Sequence, residues 1–243
     1  MTRSTNDPEQ LVEQITQLWR DAARESAVMP SEPALAAATG ASRPSIREAL
    51  VRLEERGYVH RSQGARTMIN RRLGTIGIRV DRQRDHAAAI EAAGYRPAVE
   101  LLSSDVAILD DDGAAFHDLP GGTRVLRTRK VWSADGDRYV LADDLIPVGG
   151  DRDAAAIDPR MPVFDLAEAA NGVKVAWETV WFTPVLLEPD ESAALGRSRP
   201  QAALELTYCG VGSSDEVAYW CREVQVASPP RLRNALVRRV SRS

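Results

Sequence analysis

The chain has 243 residues, 44% hydrophobic and 27% charged, with a formal net charge of −4. No apolar run approaches the roughly 20 residues of a membrane-spanning helix. Two cysteines (Cys209, Cys221) cannot build a disulfide framework, and three scattered histidines without a C-x2-C pair offer no metal site.

The expectation is therefore a cytoplasmic chain of two domains, without membrane segment, metal or cofactor. The first residues have no apolar core of the signal-peptide type. Charge is unevenly spread. From Arg43 to Arg72 there are eight Arg against three Glu, whereas residues 73–243 are net acidic. A basic segment joined to an acidic body points to a nucleic-acid-binding module carried by a domain that does not touch nucleic acid.

Residues 9–25 place Leu11, Ile15, Leu18, Trp19 and Ala22 on one helical face. Ser31 is a candidate N-cap for a second helix, with Pro33 in its first turn and Gly40 suited to the left-handed residue that reverses the chain. Ser42 caps a third, with Pro44 in the first turn and Ile46, Ala49, Leu50 and Leu53 facing inward. Arg43 and Arg47 lie together at its exposed N-terminal end, where Arg can bond two acceptors of guanine or clamp a phosphate. Gly57 ends that helix. Two short strands follow around Gln63-Gly64-Ala65, with His60, Arg61 and Arg66 on or near the turn.

Residues 71–81 are a Gly-containing linker in which Ile76, Ile78 and Val80 can form an extended strand against the second domain. Asp81 is a possible cap for a helix reaching Ala93. From Tyr95 the period becomes that of strands. Strands are expected over residues 99–109, 125–132, 139–146, 173–185, 203–211 and 217–226. Turns fall at Leu119-Pro-Gly-Gly122, Asp135-Gly136 and Gly212-Ser-Ser-Asp215. Helices are expected over 163–170, ending at Asn171-Gly172, and 188–196, capped by Asp190. Residues 231–242 read as a basic amphipathic helix or a loose tail.

The series P-S-E (31–32 being Ser-Glu), L-A-A-A-T-G-A-S-R-P-S-I-R-E-A-L, L-E-E-R-G-Y-V and a Q-G turn resembles the GntR family of bacterial transcription regulators over residues 9–70. The resemblance implies a winged helix-turn-helix that binds double-stranded operator DNA. It implies contacts from Arg43, Arg47 and Gly64, with Ser31, Ser42, Pro44, Ser45, Arg61, Gln63 and Arg66 completing the candidate interface. Pro33 stands where the family often has Arg, Ser45 where it has Thr, and Arg66 where it has a second wing Gly.

Residues 82–228 resemble the UTRA effector domain of the HutC branch, through Arg127-Thr-Arg129, Asp135-Gly136, Leu145-Ile-Pro147, Val163-Phe-Asp-Leu166 and Leu204-Glu-Leu206. The implied architecture is two-domain and mixed α/β. A winged helix-turn-helix precedes an α+β, chorismate-lyase-like domain with an antiparallel sheet over residues 82–243, and the chain dimerises through this second domain. Arg127 and Arg129 share a strand face, and the R-x-R pair of sugar-phosphate sensors implies an anionic effector there. The alternative is an exposed face in which carboxylates such as Asp143 neutralise them. Glu100, Glu178, Tyr219 and Arg222 complete the candidate pocket. Three other positions depart from the family: Pro162 replaces a small hydroxyl residue, Ala142 an acid and Ala218 a Glu.

The function expected is a repressor released by a small-molecule effector. A chorismate-lyase-like enzyme and an effector-independent DNA-binding protein are the alternatives. No G-x-S-x-G, phosphate loop or paired His/Asp spacing supports an enzyme.

Overall fold

The computed structural model describes residues 8–25, 28–62, 65–76, 78–80, 85–226 and 232–237. They fall into two units. One holds the N-terminal segment to Gln83 together with the C-terminal segment from Pro230; the other runs from Arg84 to Pro229.

In the first unit, α1 (Pro8–Glu25) buries Leu11, Val12, Ile15 and Trp19 along one face. Helix α2 (Glu32–Thr39) adds Leu35, and α3 (Arg43–Glu55) adds Ile46, Ala49, Leu50 and Leu53 to the same core. The Trp19 indole donates to the Tyr58 carbonyl at 2.8 Å and packs edge-on to its ring at 4.7 Å. This ties α1 to the chain leaving α3. Ser31 accepts from the Ala34 amide and Ser42 from the Ser45 amide, so each helix starts on a side-chain cap. Gly40, at φ +70, supplies the left-handed residue between them. Strands β1 (Val59–His60) and β2 (Met68–Ile69) form the antiparallel wing.

The linker holds a 3-10 turn, Arg71–Thr75, and then β3 (Ile78–Arg79). Sequence reading set that strand against the second domain. It pairs instead, in parallel, with β10 (Asn234–Ala235) from the C-terminal segment. That segment was expected to be a helix or loose tail; its described part is a strand of the first unit, with Leu232 buried and Val237 packed against the helical core. Backbone pairing and two apolar anchors outweigh the weak helical period there.

The second unit is a six-stranded antiparallel sheet in the order β4-β5-β6-β9-β8-β7. Its strands are β4 (Pro97–Ile108), β5 (Arg124–Ala134), β6 (Asp137–Pro147), β7 (Trp177–Leu186), β8 (Ala202–Val211) and β9 (Val217–Gln225). Helices α4 (His86–Ala92) and α6 (Val163–Asn171) cover one face. Helix α7 (Pro189–Ala194) lies on the other, and α5 (Asp111–Phe116) joins β4 to β5. Two caps differ from the sequence reading. Asp85 caps α4, while Asp81 lies outside the described residues. Helix α7 starts at Glu188, whose amide donates to Glu191, and Asp190 is turned to Arg129 instead.

Candidate functional site

The first candidate surface is the start of α3. Arg43, Pro44 and Arg47 are exposed, as α3 buries its opposite stripe in the core. The Arg47 side chain, 64% exposed, is held by Glu32 at the start of α2, Nε to Oε2 2.9 Å. Its guanidinium is thus pre-aimed from a neighbouring helix. Ser42 and Ser45 hydroxyls lie 2.8 Å apart within the cap, and Ser31 serves the cap of α2. These serines therefore have local structural work besides any contact outward. Arg66 is exposed, and the Arg61 amide donates to Glu54. Gln63 and Gly64 lie outside the described residues. The structure brings Arg43, Pro44, Ser45 and Arg47 to one helix end, while Arg61 of the wing is tied to the other end of α3 through Glu54.

The seven candidate effector residues do not converge on one place. Arg127, Arg129, Asp143, Arg222 and Glu100 lie on the α7 side of the sheet; Glu178 and Tyr219 lie on the α6 side. On the α7 side each guanidinium is already matched. Arg127 pairs with Asp105 at 2.6 Å, and Arg129 with Asp190 at 2.9 Å and Asp143 at 3.4 Å. Arg222 is held between Glu191 and Glu205, 2.7 Å from each, and Glu100 pairs with Arg138. Hydrogen bonding to Arg129 holds the Asp190 carboxyl below its ordinary value. The two unmatched guanidiniums that suggested an anionic ligand are absent: the protein supplies the carboxylates itself.

The α6 side has a different chemistry. Lys130, one residue beyond Arg129 and so on the opposite face, is buried with its Nζ 2.8 Å from Asp144 and 3.1 Å from the Met161 carbonyl. Thr128 donates to Asp144 at 2.6 Å. Farther along, His86 Nε2 lies 2.6 Å from Glu223, which also accepts from Tyr208 and Gln225. Tyr219 donates to Glu178.

A family model for bacterial regulatory proteins of the gntR family matches residues 9–69, and one for the UTRA domain matches residues 92–228, more than half of the chain. The chain belongs to the HutC branch of the GntR family. It is a DNA-binding transcription regulator with a ligand-responsive UTRA domain. Solved structures share the fold. YydK from Bacillus subtilis superposes with a TM-score of 0.67 at 11% identity, over 96% of this chain and 99% of its own. PhnF from Mycobacterium smegmatis gives 0.58 at 18% identity, over 93% of this chain and 100% of its own. The effector domain of PhnF alone gives 0.56 at 18% identity, over 67% of this chain and 100% of its own.

The three positions that the sequence reading marked as departures from the family pattern, Ala142, Pro162 and Ala218, all fall on the α6 side. Pro162 is the N-cap of α6, and both alanines are buried beneath that helix. The residues of β5 that share this face are Thr128, Lys130 and Trp132 rather than Arg127 and Arg129. Sequence reasoning did not name Lys130, Asp144, His86 or Glu223 for this face. The one available signal was a lone Lys inside a strand, two residues from each of Thr128 and Trp132, in a chain whose cations are otherwise almost all Arg.

The His86–Glu223 pair makes stability depend on pH. Burial opposes charge on the imidazole, but Glu223 outweighs it through charge and hydrogen bond, helped by Asp85 and Asp144, so His86 titrates above its ordinary 6.5. Burial likewise opposes charge on Glu223, but His86, Gln225 and Tyr208 outweigh it, so its carboxyl titrates below its ordinary 4.5. The His86 contribution is complete below pH 6.5 and is lost as pH rises through the higher folded-state value. The Glu223 contribution is complete above pH 4.5 and is lost as pH falls through the lower one. Thermal melts across pH are expected to show the UTRA domain losing stability above pH 6.5 in the native protein. In His86→Gln that alkaline decline is expected to disappear; its persistence would place the titrating group elsewhere.

Proposed function

We propose that the chain is a homodimeric, cytoplasmic repressor without enzymatic activity. Its two wing-helix modules bind the half-sites of a short inverted repeat, and a small molecule bound by the UTRA domain releases them. Arg43, Ser45 and Arg47 read the operator, and Ser42, Pro44, Arg61, Gln63, Gly64 and Arg66 hold the backbone. The effector binds on the α6 side of the sheet. The observation that carries the operator assignment is Arg47, exposed at the start of α3 and clamped by Glu32. Pre-organised Arg at a helix end suits bidentate contact with guanine. Two-fold symmetry in the protein implies a two-fold operator.

Footprinting on DNA flanking the gene, with the mass of the complex measured in parallel, tests this reading. A symmetric footprint with two chains per site is the expected result. A single asymmetric half-site bound by one chain would overturn the dimer.

A further inference from the structure

At the centre of the sheet on the α6 side two cations are taken, Lys130 by Asp144 and His86 by Glu223, with Lys130, Asp144 and Glu223 all buried. Arg124 and Arg152, toward the end of α6, are held by backbone carbonyls. A third carboxylate, Glu178 on β7, has no cation beside it among the described residues. Its hydrogen-bond partner is the Tyr219 hydroxyl.

That contact is built into three strands. Glu178, Gly210 and Tyr219 stand opposite one another across β7, β8 and β9. Tyr219 reaches Glu178 by crossing Gly210, where an added Cβ would lie 2.3 Å from the ring. Only glycine leaves this path open. Phe164, in the first turn of α6, packs edge-on to Tyr219 at 5.6 Å, and Tyr208 lies on the next register pair, donating to Glu223. Burial raises the Glu178 carboxyl; the Tyr219 hydrogen bond opposes this and Glu223 adds to it, so the group is short of positive charge. The Tyr139 hydroxyl is fully buried, has no hydrogen-bond partner among the described residues, and lies in the field of Glu223 and Asp85.

A carboxylate without a cation, bordered by aromatic rings, is the chemistry that recognises an organic cation. A phosphate or carboxylate placed beside Glu178 would meet a like charge and no cation among the described residues. We propose that the effector of this regulator is an organic cation, an ammonium or amidinium group on an apolar body, with Glu178 as its counter-ion and Tyr219, Phe164 and Tyr208 as its aromatic surround. This rests on the reading that the effector binds on the α6 side.

The test is thermal unfolding of the full chain with phenethylammonium, and separately with benzoate and with inorganic phosphate, at matched ionic strength. Phenethylammonium is expected to raise the melting temperature with concentration. In Glu178→Gln its apparent affinity is expected to fall about tenfold, the loss of one charged hydrogen bond. Tyr219→Phe keeps the ring and frees Glu178, so it is expected to bind at least as tightly as the native chain. Stabilisation by benzoate or phosphate alone would overturn the cation while leaving the effector face in place. Equal stabilisation of Glu178→Gln, or loss in Tyr219→Phe, would overturn the counter-ion role. No shift with any probe would remove the proposal and the effector-face reading together.

Discussion

Lys130→Met is expected to destabilise the UTRA domain by about 3–5 kcal/mol, the range found when one partner of a buried ion pair is removed. The Lys130 and Asp144 side chains are only 3% and 2% exposed. Water therefore cannot replace the missing ammonium. Asp144 would keep the Thr128 hydroxyl and the Cys221 thiol as neutral donors, too few to offset a buried charge. A loss of this size is a large share of the roughly 5–15 kcal/mol that holds a domain together. The double variant Lys130→Met with Asp144→Leu is expected to recover most of it, because an apolar pair of similar volume removes both desolvation penalties. Urea melts of the two variants decide the matter. A single-variant loss below about 1 kcal/mol is what a solvated surface pair would give, and that result would contradict the burial described above.

Arg47→Ala is expected to weaken operator binding by about 1–3 kcal/mol and to relax sequence preference at the contacted base pair. The side chain sits at the N-terminal end of α3, which reads base edges in this class of module, and Glu32 fixes its direction. Arg66→Ala is expected to act differently. It should weaken binding on every sequence alike and lower the slope of log affinity against log salt by about one contact's worth. Titrations against the operator and a scrambled duplex at several salt concentrations separate the two effects. Operator affinity unchanged in Arg47→Ala would remove α3 from the recognition surface.

The helical module was legible because its signals are local. Ser31 and Ser42 cap the helices that follow them, Gly40 takes the left-handed turn, and the apolar stripe of α3 is buried as its spacing demands. Each depends on residues within one turn of each other. Strand positions and the hairpin at Asp135-Gly136 were legible for the same reason. Asp85 was missed as a cap because Asp81 offers the same chemistry four residues earlier, and only the docking of His86 onto Glu223 fixes where α4 begins.

The effector face shows the limit. Period two states that Arg127 and Arg129 share one side of β5 and that Lys130 takes the other. It does not state which side receives α6. Seen as sequence, two arginines are the stronger anion signal. In the fold they meet Asp105, Asp143 and Asp190, while the single lysine is enclosed with Asp144. Asp143 faces Arg129 across the Asp135-Gly136 hairpin and was within reach of the sequence, but Asp105 on β4 and Asp190 on α7 are announced by no local pattern. The same holds for β10, whose pairing with β3 joins residues more than 150 positions apart. The sequence by itself determined the family, the DNA-binding module and most elements of both units, β10 excepted, since caps, turns and periodicity act over a few residues. Tertiary structure alone decided which charges are matched and which face is enclosed, because a one-residue step along a strand reverses the side on which a charge is buried.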